Sequence, residues 1–362
     1  MSTTIQISEA VRAGHPDKIC DYLADSLADY IIQRDPTAHT AIEVMVVGRK
    51  YVFGGEVQTS VPITVQLLQE IIKSTAKTIG FSVEHYGVHN LIATQSPEIA
   101  HIVEDREGVK AGDMGIVYGY ACMHTPARVP LSYALATRMM WLLDSQYRDW
   151  DIGIQPDGKC IVTTREDRIK SVDMNIQTTS TANMKDIKHA IIEKVINPAM
   201  AENECLLEDD FQFTMNANGM FTIGGSDADT GVTGRKIQND TYGTIVPNGG
   251  GAFSGKDMSK VDRSGAYYAR WLAKQVVTTL ACGEILIRLH YRMGQQIPAT
   301  FDYDTFGSEL NENKVRQILA NKGKLTVQQI TEKFKPARFA DYTNYGHFTQ
   351  NHANIAPWEQ ID

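Results

Sequence analysis

Positive charge is in short supply in this sequence, and long apolar runs are missing. Lys and Arg number 35 against 43 Asp and Glu, which gives a formal charge of −8. Nucleic acids and anionic membranes attract basic surfaces, so this balance argues against both as partners. No apolar run approaches the roughly 18 residues needed to cross a bilayer, and the N-terminal segment has no apolar core of the signal-peptide type. We therefore expect a cytoplasmic protein.

Cysteine is also sparse, and its spacing excludes two kinds of site. The five cysteines are widely separated and form no C-x-x-C pair: Cys20, Cys122, Cys160, Cys205 and Cys282. An odd number of isolated cysteines indicates neither a disulfide framework nor a zinc site. The pattern is typical of a protein in a reducing compartment.

A complete P-loop is missing as well, although the sequence comes close to one. Gly250 is followed after four residues by Gly255 and Lys256, as in P-loop NTPases. That loop needs Ser or Thr after the lysine to reach Mg²⁺, and here Asp257 follows it. We therefore predict a phosphate-binding glycine loop of another kind. Lys256 and Lys260 would share a face if a helix began this early.

Helix and strand patterns are mixed along the 362 residues without strict alternation. Periodicity predicts helices at 16–34, 64–78, 132–148, 184–196 and 260–281, with two short helices near 313–333. Strands are predicted at 40–47, 51–57, 115–122, 159–164, 171–177, 211–223 and 284–292. A polar stretch at 95–112 is predicted to be a long loop. The mixture indicates an α+β fold with three similar modules, at 1–100, 101–223 and 224–362.

The segment 14–18 (GHPDK) places an imidazole, a carboxylate and an ammonium beside a helix start. A helix N-terminus favours anions, so a phosphate near His15 and Lys18 would be stabilised. Asp17 offers the hard oxygen ligand that Mg²⁺ prefers. The alternative is a capped helix start with a surface histidine and lysine, and the segment alone does not decide between them.

The tract 221–236 combines four glycines with Asp227, Asp229, Arg235 and Lys236. Glycine lets a ligand approach the backbone, and the two cations suit a polyphosphate. A strand followed by a flexible turn is the alternative interpretation.

Two shorter motifs carry less weight by themselves. Asp113 lies in GDMG (112–115), a tight-turn sequence, and PDGK (156–159) has a hairpin sequence that ends in Lys159. Each is typical of an ordinary turn, and they gain meaning only together with the other motifs.

Taken together, the motifs resemble those of S-adenosylmethionine synthetases. The shared motifs occur in order: GHPDK, GGEVQTS (54–60), QSPEI (95–99), AGDMGIVYGYA (111–121), PDGK, GVTGRK (231–236), DTYG (240–243) and GGGAFSGKDMSKVDRS (249–264). The resemblance implies three similar α+β modules around a pseudo-threefold axis. It also implies a homodimer or homotetramer with active sites between subunits. The reaction would be attack of the sulfur of L-methionine on C5′ of ATP, followed by hydrolysis of the bound triphosphate to diphosphate and phosphate.

The resemblance also implies roles for individual residues. His15 would stabilise the leaving oxygen at C5′, and Phe221 would stack on adenine. ATP would be bound by His15, Asp113, Asp157, Lys159, Phe221, Asp229, Arg235, Lys236 and Lys256. Methionine would be bound by Glu56, Gln95, Asp229 and Lys260, and the catalytic cations would be Lys159, Arg235, Lys256 and Lys260. Two Mg²⁺ ions would be held by Asp17 and Asp262, and K⁺ by Glu43, a buried strand carboxylate.

The chemistry explains why such residues are needed. A thioether has no proton to remove, so catalysis must come from alignment, worth about 7–11 kcal/mol, and from stabilising the charge on the leaving triphosphate. We expect loop 95–112 to be a gate. We also expect His15 and Lys256 to come from one subunit, with Glu56 and Gln95 from the other.

Some positions depart from the family pattern. Met114 stands where Gln is usual, GGSDADTG lacks the usual Met-Gly before its aspartate, and Gln155 stands where Arg is more common. These departures suggest altered gating or substrate tolerance. The rival interpretations are a generic ATP-dependent kinase or ligase and a non-catalytic subunit related to the synthetases. The sequence lacks the motifs of a kinase or ligase of that kind, and a non-catalytic subunit would not need the catalytic cations.

Overall fold

The protein is described here by a computed structural model of residues 5–95, 104–105, 108–281, 283–308, 311–352 and 355–361. The helices are α1 (Pro16–Arg34), α2 (Val65–Ile79), α3 (Leu131–Trp150), α4 (Met184–Ile191), α5 (Asn197–Glu202), α6 (Ile237–Asp240), α7 (Val261–Leu280), α8 (Glu312–Lys322) and α9 (Val327–Phe334). The strands are β1 (Ile5–Val11), β2 (His39–Val47), β3 (Lys50–Gln58), β4 (Gly87–Asn90), β5 (Ala93–Thr94), β6 (Glu104–Asp105), β7 (Gly108–Val109), β8 (Gly115–Cys122), β9 (Ile154–Arg165), β10 (Arg168–Thr178), β11 (Leu206–Met215), β12 (Gly231–Val232), β13 (Glu284–Tyr291) and β14 (Thr300–Asp304).

The first sheet has the order β12-β2-β3-β4, with β5 also beside β3. Helix α1 packs on β2, and α2 packs on α1. Proline at the first position of α1 fits a helix start, since its missing N–H has no partner there anyway. Buried side chains at helical spacing attach α1 to the sheet: Ile19, Leu23, Leu27 and Ile31.

The second sheet has the order β1-β9-β10-β11 and is covered by α3, which packs on β1 and β9. The third sheet has the order β14-β13-β8 and is covered by α7, which packs on β8. Gly119 permits that close approach, because a Cβ there would lie 1.9 Å from the backbone of Ala269. A two-stranded sheet of β6 and β7 completes the described strands.

The mixed α+β class with three modules is thus confirmed. Each main sheet also takes a strand from a distant part of the chain. β1 joins the second sheet, β12 joins the first, and β8 pairs with β13 in the third. The boundaries 1–100, 101–223 and 224–362 stay a prediction.

Several predicted elements have different limits. PDGK is not a hairpin, because it lies within β9, where Gly158 pairs with Ile176 and packs beside Arg12. The strand predicted at 211–223 is β11 and ends at Met215. The helix predicted at 184–196 is α4 followed by a π-helical turn at Ile192–Ile196.

Most of the remaining long elements agree with the sequence prediction. Helices α1, α2, α3 and α7 lie where periodicity predicts them, as do the strands β2 and β3. Among the described residues, no helix is both long and apolar enough to cross a membrane.

Candidate active site

His15 is the N-cap of α1, and its imidazole is a neutral hydrogen-bond donor. Its Nδ1 accepts the backbone N–H of Asp17 at 3.2 Å, so the ring proton is assigned to Nε2. Burial, together with the nearby Lys236 ammonium, lowers the pKa of His15 to about 4. A neutral imidazole with a free Nε2–H can donate to an oxygen that gains negative charge.

Asp17 lies two residues further on and connects the helix start to the tract 231–236. Its side chain is 1% exposed. One oxygen accepts the N–H of Val232 at 2.9 Å, and the other accepts Lys236 at 2.6 Å. The Nε atom of Arg235 lies 3.6 Å from the first oxygen. GHPDK and GVTGRK, far apart in sequence, therefore lie side by side, with two cations of the second motif at the start of α1.

Lys159 lies near the same helix start and is held by a residue that the motifs did not reveal. Its ammonium lies 2.9 Å from Glu9, and Asn239 donates to the other oxygen of Glu9 at 2.9 Å. Burial opposes ionisation of Glu9, but Asn239 and Lys159 outweigh it and lower the pKa of its carboxyl. His15, Asp17, Lys159, Arg235 and Lys236 are called the first cluster below.

Lys18 is buried and has a structural role, so the alternative interpretation of this residue as a surface lysine is wrong. Its ammonium lies 2.7 and 2.8 Å from the two oxygens of Asp240 and 3.0 Å from Asp21. The side chain is 1% exposed, and the two carboxylates raise its pKa despite burial.

The glycine loop 249–257 carries a second group of charges, further along the same face of α1, where the Gly255 N–H donates to Asp25. Lys256 forms an ion pair with Asp262, and each side chain is 20% exposed. A Cβ at Gly251 would lie 2.4 Å from the Asp262 carboxyl carbon, so glycine is required for the loop to pass over it. Lys260 is the N-cap of α7. Lys256, Lys260 and Asp262 are called the second cluster below.

Asp257 explains the incomplete P-loop. Its two oxygens accept the N–H groups of Thr40 at 2.7 Å and Ser259 at 2.8 Å. The residue therefore anchors the loop to β2 and is not available for the role of the P-loop hydroxyl. Helix α7 starts at Val261, so Lys256 lies in the loop and not on a helical face with Lys260.

The two clusters lie at different points along one edge of β2. Val232, which is bonded to Asp17, pairs with Met45, whereas Lys256 pairs with Ala41. Four residues of strand separate these points by about 13 Å. The two clusters therefore occupy separate positions along the strand.

Two of the predicted methionine-binding residues, Glu56 and Gln95, lie at the same end of the first sheet as the second cluster, whereas Asp229 lies in the tract beside the first cluster. Glu56 is exposed on β3 and pairs with Ala41, the strand neighbour of Lys256. Gln95 bonds through its N–H to Val57 at 2.9 Å. The Gln95 Oε1 atom is buried and has no partner among the described residues. A buried acceptor of this kind is costly unless a ligand satisfies it.

Glu43 is not the buried carboxylate expected from its strand. It lies on the open face of β2 and is exposed in the single chain. Alternation along the strand buries Ile42 and Val44 and turns Glu43 outward. In the described residues, no group of three or more His, Cys, Asp or Glu side chains could by itself hold a metal ion.

The remaining predicted ATP-binding residues flank the first cluster or lie at the surface. Asp157 accepts the N–H of Gly225 at 2.7 Å and so holds the glycine tract to β9. Phe221 is half-buried, and its carbonyl accepts the Thr178 N–H at 2.8 Å. Asp229 is exposed.

Two further predictions concern a turn and a loop. Asp113 is exposed in its turn, where it accepts the N–H of Met114 at 2.6 Å. Within the predicted gate at 95–112, residues 96–103 and 106–107 lie outside the described residues.

Three family models together match nearly the whole chain. They are the N-terminal, central and C-terminal domains of S-adenosylmethionine synthetase, at residues 3–97, 108–221 and 223–360. The chain belongs to the S-adenosylmethionine synthetase family. It is 37% identical to the S-adenosylmethionine synthase of Helicobacter hepaticus and 36% identical to that of Wolinella succinogenes, in both cases over 98% of this chain and 95% of the relative.

Members of this family form S-adenosylmethionine from ATP and methionine, so the predicted enzyme class, methionine adenosyltransferase, is confirmed. The family also requires divalent and monovalent cations.

Sequence motifs missed the carboxylates that hold the site together. Asp21, Asp25 and Glu9 make their bonds to backbone groups or cations of the motif loops. One signal could have pointed to the first two, since α1 repeats aspartate every four residues from Asp17 to Asp29. A charged stripe in an otherwise apolar helix indicates buried partners.

Proposed function

We propose that the chain forms S-adenosylmethionine at composite sites, each built from the first cluster of one subunit and the second cluster of another. The separation of about 13 Å along β2 supports this proposal most directly. A triphosphate carries about four negative charges and needs cations around all three phosphates. In one chain the cations lie in two separate clusters. Two chains that face each other can place the first cluster of one chain beside the second cluster of the other.

This division differs from the one expected from the sequence. Lys256 is linked through Ala41 to Glu56, so these two residues belong to the same subunit's contribution. Gln95 lies at the same end of the first sheet. We therefore assign His15 to one subunit and Lys256, Glu56 and Gln95 to its partner in a homodimer or homotetramer.

In the proposed reaction, His15 donates its Nε2 proton as a hydrogen bond to the oxygen that leaves C5′. The lowered pKa of His15 keeps its imidazole neutral. The ring therefore offers a hydrogen bond from Nε2 and does not transfer a proton to the leaving oxygen. Lys159, Arg235 and Lys236 would bind the phosphate chain from one side, and Lys256 and Lys260 from the other. Such preorganised donors are each worth on the order of 10²–10³ in rate.

The carboxylates of both clusters fit Mg²⁺. Asp17 and Asp262 each hold a lysine ammonium in the structure, so each position accepts a cation. Mg²⁺ is commonly held by one or two carboxylates together with substrate phosphates, and no larger protein cage is needed. Mg²⁺ bound there would neutralise charge on the phosphate oxygens. Lys236 and Lys256 would then be released from their carboxylates to bind phosphate.

For Glu43 we propose a K⁺ site completed by other oxygens at the subunit boundary. Glu43 is exposed in the single chain, and one exposed carboxylate binds a monovalent ion only weakly. Further oxygen ligands are therefore needed, and an outward side chain can meet them at a subunit boundary. We also propose a cytoplasmic location, which agrees with the free, buried thiols of Cys20, Cys122, Cys160 and Cys205.

A non-catalytic subunit is the rival function from another class. A scaffold has no use for a neutral imidazole beside the Lys159 and Lys236 ammonium groups, so the first cluster favours catalysis. Incubation with ATP, methionine, Mg²⁺ and K⁺ should yield the sulfonium product, diphosphate and phosphate in equal amounts. ADP or AMP as the stoichiometric nucleotide product would contradict the proposal.

Subunit complementation tests the composite site. His15→Ala and Lys256→Ala chains, each inactive alone, are unfolded, mixed and refolded together. In a heterodimer with divided sites, one site carries both lesions and the other carries neither, so activity returns. The matched control mixes His15→Ala with Asp17→Ala, two lesions of the same cluster, and should stay inactive. Verified heterodimers of the first pair that remain inactive would rule out the division.

A further inference from the structure

Helix α1 carries an aspartate on each turn of one face: Asp17, Asp21, Asp25 and Asp29. All four are buried. Each accepts backbone N–H groups from segments more than 200 residues later in the chain. The stripe thus fastens the glycine-rich loops and the C-terminal segment to the first helix.

Asp25 makes the most extensive set of these contacts. The Nη2 atom of Arg263 lies 2.8 and 2.7 Å from the two oxygens of Asp25, and both side chains are 0% exposed. The Gly255 N–H donates to Asp25 at 2.8 Å, and Arg263 donates to the carbonyl of Lys256 at 2.9 Å. Thr343 donates its hydroxyl to the remaining oxygen at 2.6 Å.

Further bonds hold the backbone of residues 255 and 256 on every side. The Gly255 carbonyl accepts the Ile42 N–H at 3.0 Å, and the Lys256 N–H donates to the Phe253 carbonyl at 3.2 Å. With the two bonds to the ion pair, all four backbone polar groups of these residues are satisfied. Gly255 also has a φ of +80°, and a Cβ there would lie 2.0 Å from the Ile42 carbonyl oxygen.

We propose that Asp25 is a positioning residue that sets the direction of the Lys256 side chain, acting through Arg263 and the backbone of residues 255 and 256. A buried ion pair is in general no more stabilising than apolar residues of the same volume. The planar guanidinium does fix orientation, because its Nη2 donates to Asp25 while its Nη1 donates to the Lys256 carbonyl. A lysine that must reach a phosphate requires such a fixed backbone. The inference rests on the proposed function in one respect, the binding of phosphate by Lys256.

Asp25→Asn tests the inference, with Asp29→Asn as the matched control. Asp29 lies one turn further on the same face. Among the described residues its hydrogen-bond donors are the N–H groups of Phe339 and Ala340, which lie outside the glycine loops. We expect kcat of Asp25→Asn to fall by about 10–100-fold, since a misplacement near 1 Å costs about that much. KM for methionine and the kcat of Asp29→Asn should stay within about twofold of the unmodified enzyme. Equal kcat losses in both folded variants would overturn the inference.

A double-mutant cycle separates positioning from general damage. We expect Lys256→Ala alone to lower kcat by about 10²–10³-fold. If Asp25 acts through Lys256, adding Asp25→Asn to Lys256→Ala should lower kcat by less than about twofold further. A full, additive loss would overturn the positioning role. An unchanged kcat in Lys256→Ala alone would instead refute the phosphate-binding role in the proposed function.

A second variant covers the case in which Asp25→Asn does not fold. Arg263→Lys keeps the positive charge beside Asp25, but lysine lacks the planar fork that reaches both Asp25 and the Lys256 carbonyl. Its kcat should fall, and that fall should also disappear in the Lys256→Ala background. An unchanged kcat in Arg263→Lys would overturn the inference.

Discussion

The two clusters differ in how deeply their carboxylates are buried and in how many bonds the chain makes to them. Asp17 is 1% exposed and has both oxygens bonded within the chain. Asp262 is 20% exposed and pairs with a lysine on a glycine loop. The comparison suggests that the first cluster serves the fold as well as the reaction, whereas the second serves the reaction.

Asp17→Asn should have the largest effect because it damages both functions. It leaves Lys236 without its buried partner, and breaking such a pair costs about 3–5 kcal/mol. It also removes a proposed Mg²⁺ ligand, so kcat should fall by about 10²–10³-fold. Urea unfolding and steady-state kinetics measure the two losses. Full stability would show that the first cluster does not support the fold.

Asp262→Asn should separate the two functions. A similar loss of kcat is expected, but the free energy of unfolding should change by less than about 1 kcal/mol, because the ion pair is partly exposed. The same two measurements apply. A stability loss equal to that of Asp17→Asn would remove the distinction between the clusters.

His15→Asn should divide the two chemical steps. The variant should lower the rate of S-adenosylmethionine formation by about 10²-fold, while hydrolysis of added triphosphate, which depends on the lysines, should fall much less. Rapid-quench measurement of each step checks this. Equal losses in both steps would mean that His15 binds phosphate in general or has a structural role.

The pKa of His15 predicts how stability depends on pH. Its folded-state pKa of about 4 is below the usual value of 6.5, so protonation favours the unfolded chain. This contribution to stability is fully present above pH 6.5 and is lost as the pH falls toward 4, by at most about 3 kcal/mol. Without ATP, His15→Asn should therefore lose less stability than the unmodified chain across that range. Parallel curves for the two proteins would contradict the lowered pKa.

Glu43→Val should have the smallest effect, a loss of activation by K⁺ with little change in the free energy of unfolding. Glu43 is exposed on a strand, and valine suits a strand. Activity is titrated with K⁺ in both proteins. Unchanged K⁺ dependence would place the monovalent site elsewhere.

The sequence predicted the site best where chemistry and local structure lie in one short motif. His15, Asp17 and Lys236 could be assigned together because their motifs resemble those of one family. Asp21 and Asp25 were missed, because part of their bonding is to backbone N–H groups, which no motif identifies, and only their four-residue spacing along α1 pointed to them. The outward position of Glu43 was missed, although its alternation with the apolar residues Ile42 and Val44 along the strand indicates it. PDGK was misread because a turn sequence can lie inside a strand when a neighbouring strand pairs with it.

The exchange of strands among the three sheets has a consequence for how this chain folds during synthesis. β1 pairs with β9, near residue 160, and β2 receives its edge partner only at Gly231. Loop closure over such separations is slow, and unpaired strand edges invite association. During synthesis, the N-terminal third of the chain therefore keeps unpaired strand edges until most of the chain has left the ribosome. Truncation after about residue 220 should give a polypeptide that aggregates, not a smaller folded protein.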